Sequence, residues 1–228
     1  MLLYHGTNED VLPKIQLQGL KPRGKRKSQW EHYPSRSDMV YLTTAYAFYF
    51  AMNTKGKGRA MVLEIDSDQL VERKFFPDED FIAQVVSNVT KQSLEKVHGS
   101  IKDTLKQYQQ YWRLSIENLG NCSYQGTIHL KTIKRMCLFD VLKRSEIAFM
   151  AMDPIISLIN YRFCKEKYTG LIAWMFGDRA DIPSDIVEVQ DIDENSEFAK
   201  LQKTRKEFWE KESKNQDGIE VFNFNTTV

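Results

Sequence analysis

Three short segments place reactive side chains where they can act on a bound ligand. The first is Tyr4-His5-Gly6-Thr7. An imidazole at the end of a short apolar strand, followed at once by glycine, stands beside open backbone groups. Glycine lets a ligand approach the main chain closely, and Thr7 adds a hydroxyl. Taken alone, the segment also reads as an ordinary half-buried histidine before a turn. The second is Val40-Tyr41-Leu42-Thr43-Thr44, leading into Ala45-Tyr46-Ala47-Phe48-Tyr49-Phe50-Ala51. A strand tyrosine with further rings one or two helical turns on can build a slot for a flat ring, and offset stacking adds about 0.5–1.5 kcal/mol per pair. The same residues serve equally as core. The third is Pro77-Asp78-Glu79-Asp80. Asp78 suits a helix N-cap, with the next two acids complementing the helix dipole. Three successive acids exceed what a cap requires, so one carboxylate is free to point into a cleft.

A fourth segment is electrostatic. Lys21-Pro22-Arg23-Gly24-Lys25-Arg26-Lys27 carries five cations in seven residues without an acid, and Trp30, His32 and Tyr33 follow. A solvated surface accounts for such a run. Cations beside aromatic rings are also the composition of a surface that takes phosphates and stacked single-strand bases. Arg23, Lys25, Arg26 and Lys27 are therefore candidate substrate contacts.

The elements that must carry these residues follow from periodicity. Residues 2–5 predict a buried strand stopped by Gly6. Asn8 or Asp10 can cap a helix over residues 11–18, with Pro13 tolerated in its first turn and Gly19 closing it. Residues 21–38 predict a loop, 40–43 a strand, 45–52 a buried helix and 59–66 a strand. Leu94, Val97, Ile101, Leu105, Tyr108, Trp112, Ile116 and Leu119 recur at spacings of three and four. This is one apolar stripe within a helical region over 81–119, which Gly99 can kink and Gly120 ends. Strands are expected at 121–129 and 135–141, a helix at 153–176 and a strand at 186–189. A charged helix is expected at 195–215, with a frayed tail from Asn215. The fold class is α+β, one domain with helical insertions.

In this order the segments resemble the ADP-ribosyltransferase superfamily, in the His-Tyr-Glu branch that includes diphtheria toxin and the poly(ADP-ribose) polymerases. The matching pieces are Tyr4-His5-Gly6-Thr7, the turn Gly19-Leu20-Lys21-Pro22, the strand Tyr41-Leu42-Thr43 and the strand ending Val62 to Asp66. Residues 77–80, 119–128 and 152–177 resemble prophage and bacterial members. The resemblance implies a split β-sheet core with helical insertions and a C-terminal helix, with residues 1–190 catalytic and 191–228 a charged helix and tail. It implies NAD as ADP-ribose donor without a metal. His5 would bind a ribose hydroxyl, and Gly6 and Thr7 would take the nicotinamide end. Tyr41 would stack on the nicotinamide, with Thr43, Tyr49 and Phe50 completing the slot. The family's third residue is a glutamate on a late strand. Here that strand offers only Asn121 and Gln125, so Glu79 is the favoured catalytic carboxylate, with Asp80, Gln125 and Glu146 as alternatives. The expected function is mono-ADP-ribosylation of a nucleic acid, RNA ahead of DNA, by a bacterial toxin or phage-defence effector with an antitoxin partner. A protein acceptor, or a module that binds NAD or ADP-ribose without turnover, are the competing readings. RNA 2′-phosphotransfer needs paired His and Arg clusters that cannot be assembled here.

Composition excludes other classes. The 228 residues carry 32 Lys and Arg against 31 Asp and Glu, a net charge of +1, which argues against both a polybasic coat and an acidic disordered chain. Three cysteines (Cys122, Cys137, Cys164) without a CxxC pair argue against a disulfide scaffold or zinc site and fit a reducing cytosol. No signal peptide or apolar run of membrane-spanning length is visible. A soluble, cytoplasmic protein is expected. The four histidines show no metal-ligand spacing, and His98 and His129 read as structural.

Overall fold

The computed structural model describes residues 1–28, 34–44, 46–54, 56–139 and 219–224, with backbone only for residues 48, 49, 52, 102, 139 and 219–221. Seven strands, β1 (Leu2–Asn8), β2 (Met39–Thr43), β3 (Ala60–Asp66), β4 (Phe75–Pro77), β5 (Asn121–Gln125), β6 (Ile133–Phe139) and β7 (Ile219–Asn223), form one antiparallel sheet in the order β4-β5-β2-β1-β3-β6-β7. Among the described residues five α-helices accompany it: α1 (Leu12–Gln18), α2 (Ala47–Met52), α3 (Glu79–Thr90), α4 (Leu94–Thr104) and α5 (Trp112–Leu119). The fold is α+β. The sheet's two halves meet at β1 and β2 through the single register pair Tyr4–Thr43. No helix among the described residues is long and apolar enough to cross a membrane.

β1 runs beyond its predicted stop. Gly6, Thr7 and Asn8 pair with Val62, Met61 and Ala60 of β3, so His5 stands in mid-strand. Gly6 does not end the strand; it admits α2. A Cβ on Gly6 would lie 2.1 Å from the Ala47 carbonyl oxygen and 2.5 Å from the Ala51 nitrogen, closer than any side chain tolerates. Beyond β1 the cap expected at Asn8 forms, but on a 3-10 turn over Glu9–Val11, and α1 starts from Val11 without a side-chain cap. Asn8 accepts the Asp10 N–H, Pro13 sits in the first turn of α1, and Gly19 ends it at φ 76°.

The helical region over 81–119 breaks elsewhere than Gly99, which lies inside α4. α3 ends where Lys91 turns left-handed at φ 58°. Residues 105–111 then tighten to 3-10 geometry before α5. The stripe still faces inward: Val97, Ile101, Leu105, Trp112 and Ile116 are buried, whereas Leu94 is exposed. Gly120 closes α5 at φ 78°.

Alternation along β4 supplies two cores on opposite faces. Phe75 enters the main core with Leu3, Leu42, Leu63, Ile65 and Tyr124, and its ring stacks 4.4 Å from Trp112. Phe76 faces the other way, onto Met39, Ile82, Ala83, Val97, Ile101 and Leu105, under α3 and α4. Residues 219–223, expected as frayed tail, form β7 on β6, register Arg135–Asn223 to Phe139–Ile219. Alternating apolar residues there carry strand chemistry, and Phe224 is buried in the main core. The features expected at 153–176, 186–189 and 195–215, together with Cys164, Glu146, Trp30, His32 and Tyr33, lie outside the described residues.

Candidate functional site

The site lies where β1, β2 and the start of α3 meet. Tyr41 is the hinge of it. Its carbonyl oxygen accepts the His5 Nδ1 proton at 2.8 Å, because a carbonyl cannot donate. Neutral His5 therefore leaves Nε2 as an acceptor. Burial pushes the His5 pKa down, against this hydrogen bond, which raises it.

The Tyr41 hydroxyl donates to Glu79 Oε1 and accepts the Arg36 peptide N–H at 2.8 Å. Glu79 is only 3% exposed. Burial raises its pKa, while the Tyr41 hydroxyl and the Arg36 charge pull it back. The Tyr41 phenol is held well above its ordinary value, first by burial and then by the Glu79 charge.

The three acids at the start of α3 have separate tasks. Asp78 is the N-cap, its carboxylate accepting the Asp80 N–H at 2.9 Å. Its own N–H donates to Ser115 Oγ, which donates to the Asn121 carbonyl, so α3, α5 and β5 are tied together. Burial, then the charges of Asp80 and Glu79, raise the Asp78 pKa well above the usual carboxylate range. Asp80 turns outward to His98 Nε2 at 2.9 Å, so His98 has an acidic partner that its sequence context did not reveal. Glu79 alone points to the aromatic residue of β2.

The late strand supplies no acid among its residues. Gln125 donates through Nε2 to Asp38 Oδ2 at 3.1 Å, so this donor faces the loop before β2. Asn121 is buried opposite Thr43 on β2. Its Oδ1 is the buried side-chain polar atom without a hydrogen-bond partner among the described residues. Such an atom calls for a partner that the described residues do not supply.

The remaining slot candidates have structural neighbours. Thr43 is buried; its hydroxyl donates to the Gly120 carbonyl at 3.0 Å and accepts the Tyr46 N–H at 2.9 Å, fixing the entry to α2. Thr7 sits opposite Met61. Phe50 packs beside Gly6 and lies 6.2 Å, centroid to centroid, from Tyr46. Tyr49 shares α2, but its side chain lies outside the described residues.

The basic loop divides. Arg23 donates to the Ser35 carbonyl through Nε at 3.1 Å and Nη2 at 2.7 Å, and to the Arg26 carbonyl. It is a clasp on the loop. Lys25, Arg26 and Lys27 are exposed. The cation that reaches the site is Arg36, which sequence reasoning passed over because it stands outside the dense run. Its fork grips Asp38, Nε to Oδ1 at 3.2 Å and Nη2 to Oδ2 at 3.3 Å.

No protein family and no curated protein matches this chain. Among solved structures, one named EcPltA aligns with 60% of this chain and 75% of its own, at 12% identity and a TM-score of 0.36.

Proposed function

We propose that the chain is an NAD-dependent mono-ADP-ribosyltransferase whose acceptor is a nucleic acid, RNA ahead of DNA. One observation carries the reading. The three residues that the sequence resemblance selects, His5, Tyr41 and Glu79, are linked through Tyr41, by its carbonyl to His5 and by its hydroxyl to Glu79. The chain also has acceptors suited to a polar substrate: Asn121 Oδ1, buried without a donor among the described residues, and Nε2 of neutral His5.

In this reading NAD supplies ADP-ribose. The bond between C1′ of the nicotinamide ribose and the ring nitrogen breaks, and nicotinamide leaves with the bonding pair. A nucleophilic oxygen or nitrogen of the acceptor bonds to C1′, and its proton passes to Glu79. Positive charge grows at C1′ as the old bond lengthens. A fixed carboxylate stabilises that charge more in the transition state than in the ground state. A pKa raised from the ordinary carboxylate value strengthens Glu79 as a base, provided that it is ionised at the working pH. His5 and the Tyr41 ring orient the donor; the exposed cations Lys25, Arg26 and Lys27 suit acceptor phosphates.

The lack of an acid on β5 favours a second reading, a module that binds NAD without turnover. Incubating the full chain with labelled NAD and, separately, RNA, DNA and protein distinguishes them. Label in RNA supports the proposal, and label in protein moves the acceptor class. NAD binding without nicotinamide release supports the second reading. Neither binding nor release at millimolar NAD overturns both.

A further inference from the structure

Arg36 touches the site through its backbone and its charge together. Its N–H lies 2.8 Å from the Tyr41 hydroxyl oxygen. An N–H can only donate, so the Tyr41 oxygen is the acceptor there, and the single phenolic proton goes to Glu79 Oε1. The guanidinium is held on Asp38 by two hydrogen bonds, at 3.2 and 3.3 Å. Asp38 is itself fixed to the end of β5, by Gln125 Nε2 at 3.1 Å and by the Gly126 N–H on its carbonyl at 3.1 Å.

We propose that Arg36 is a positioning residue for the Tyr41–Glu79 pair: its peptide N–H sets the direction of the phenolic proton, and its guanidinium, oriented by Asp38, supplies the positive charge that acts on Glu79. The inference deepens the reading above and rests on Glu79 as proton acceptor. Among the described residues, the groups that act on Glu79 are Tyr41 from β2, Asp78 ahead of α3, Asp80 on α3 and Arg36 from the loop. Two are acids and one is a phenol, so among these groups the positive charge is that of Arg36. Burial drives Glu79 toward its neutral form; Arg36 and the Tyr41 hydroxyl oppose that. A carboxyl that stays protonated cannot take the acceptor's proton. Arg36 therefore works with the Tyr41 hydroxyl to keep Glu79 ionised.

The test is an NMR titration of ¹³C-labelled glutamate carboxyls in the full chain without NAD, with the Glu79 signal assigned through Glu79→Gln. Arg36→Gln keeps the N–H and removes the charge. Its Glu79 midpoint moves up by at least about half a pH unit, a threefold change in proton affinity. Arg36→Lys keeps a charge but not the fork on Asp38, and gives an intermediate midpoint. In NAD-consumption assays, Arg36→Gln lowers kcat with little change in KM, and the acid limb of its pH profile moves up with the midpoint. A purely structural role would lower activity without moving that limb. Midpoints equal to that of the parent chain in both variants overturn the proposal. Should the parent chain consume no NAD while the midpoint still responds to Arg36, the functional reading falls and the positioning of Glu79 stands.

Discussion

Replacing Tyr41 by Phe removes one oxygen from the centre of the site and leaves the ring in place. The ring packs against the Met39–Phe76 core under α3 and α4, so the variant keeps its apolar packing. Two hydrogen bonds disappear. The one from the Arg36 N–H is partly buried, and that donor can turn to water. The one to Glu79 cannot be replaced, because Glu79 is 3% exposed. A hydrogen bond to an ionised group is worth about 1.5–3 kcal/mol, and one between neutral groups about 0.5–1.5 kcal/mol. With Glu79 ionised, Tyr41→Phe is thus expected to destabilise by about 2 kcal/mol. For a chain of this size that lowers Tm by about 4–8 °C. The sign with pH follows from linkage. The Tyr41 hydroxyl lowers the Glu79 pKa against the effect of burial, so its contribution is complete above the higher Glu79 pKa of the variant and is lost as pH falls from there through that of the parent. Urea denaturation over a pH series that starts in the ordinary carboxylate range and ends at pH 9 reads both quantities, the loss growing as pH rises. A variant as stable as the parent throughout the series, or one whose loss is the same at every pH, refutes the Tyr41–Glu79 bond. Turnover adds a second reading: a ring-only role for Tyr41 leaves Tyr41→Phe active and Tyr41→Ala inactive, whereas the bond to Glu79 makes Tyr41→Phe slower as well.

Glu79→Gln should lower turnover by roughly 10²–10³ while NAD affinity changes little, since the carboxylate acts mainly in the transition state; unchanged turnover removes Glu79 from the chemistry. Because the folded Glu79 pKa is raised, the native chain binds that proton more tightly than the unfolded one. Stability should fall as pH rises from the ordinary carboxylate range through the raised value, and Glu79→Gln should flatten part of that fall in urea titrations; a parallel slope would contradict it. Gly6→Ala forces a methyl into the backbone of α2 and should cost at least about 1–3 kcal/mol, read as a Tm drop; a Tm matching the parent would show that α2 does not rest on β1. Neutralising Lys25, Arg26 and Lys27 together should weaken RNA binding and flatten its salt dependence by about 0.7 for each phosphate that these cations had neutralised, whereas an unchanged slope points to a protein acceptor.

The sequence by itself determined what depends on local pattern. The strands around Tyr41 and Met61–Asp66, the cap at Asp78, the turns at Gly19 and Gly120 and the inward stripe from Val97 to Ile116 follow from period, capping chemistry and glycine's access to positive φ. It also put forward His5, Tyr41 and Glu79 as candidates, from the segment Tyr4–Thr7, the strand around Tyr41 and the acidic run at 78–80. Only tertiary structure decided where Gly6 acts, since the reason for a glycine there is α2, forty residues on. Residues 219–223 looked like a tail because an edge strand gains its stability from a distant partner, here β6. The same holds for the site. Asp78, Glu79 and Asp80 are adjacent in the chain and chemically alike, yet one caps α3, one meets Tyr41 and one meets His98. Arg36 differs from the cations before it only in where the loop returns to β2. Local pattern fixes which side chains an element offers, but desolvation and partner charge, which set their protonation, arise only when distant elements pack.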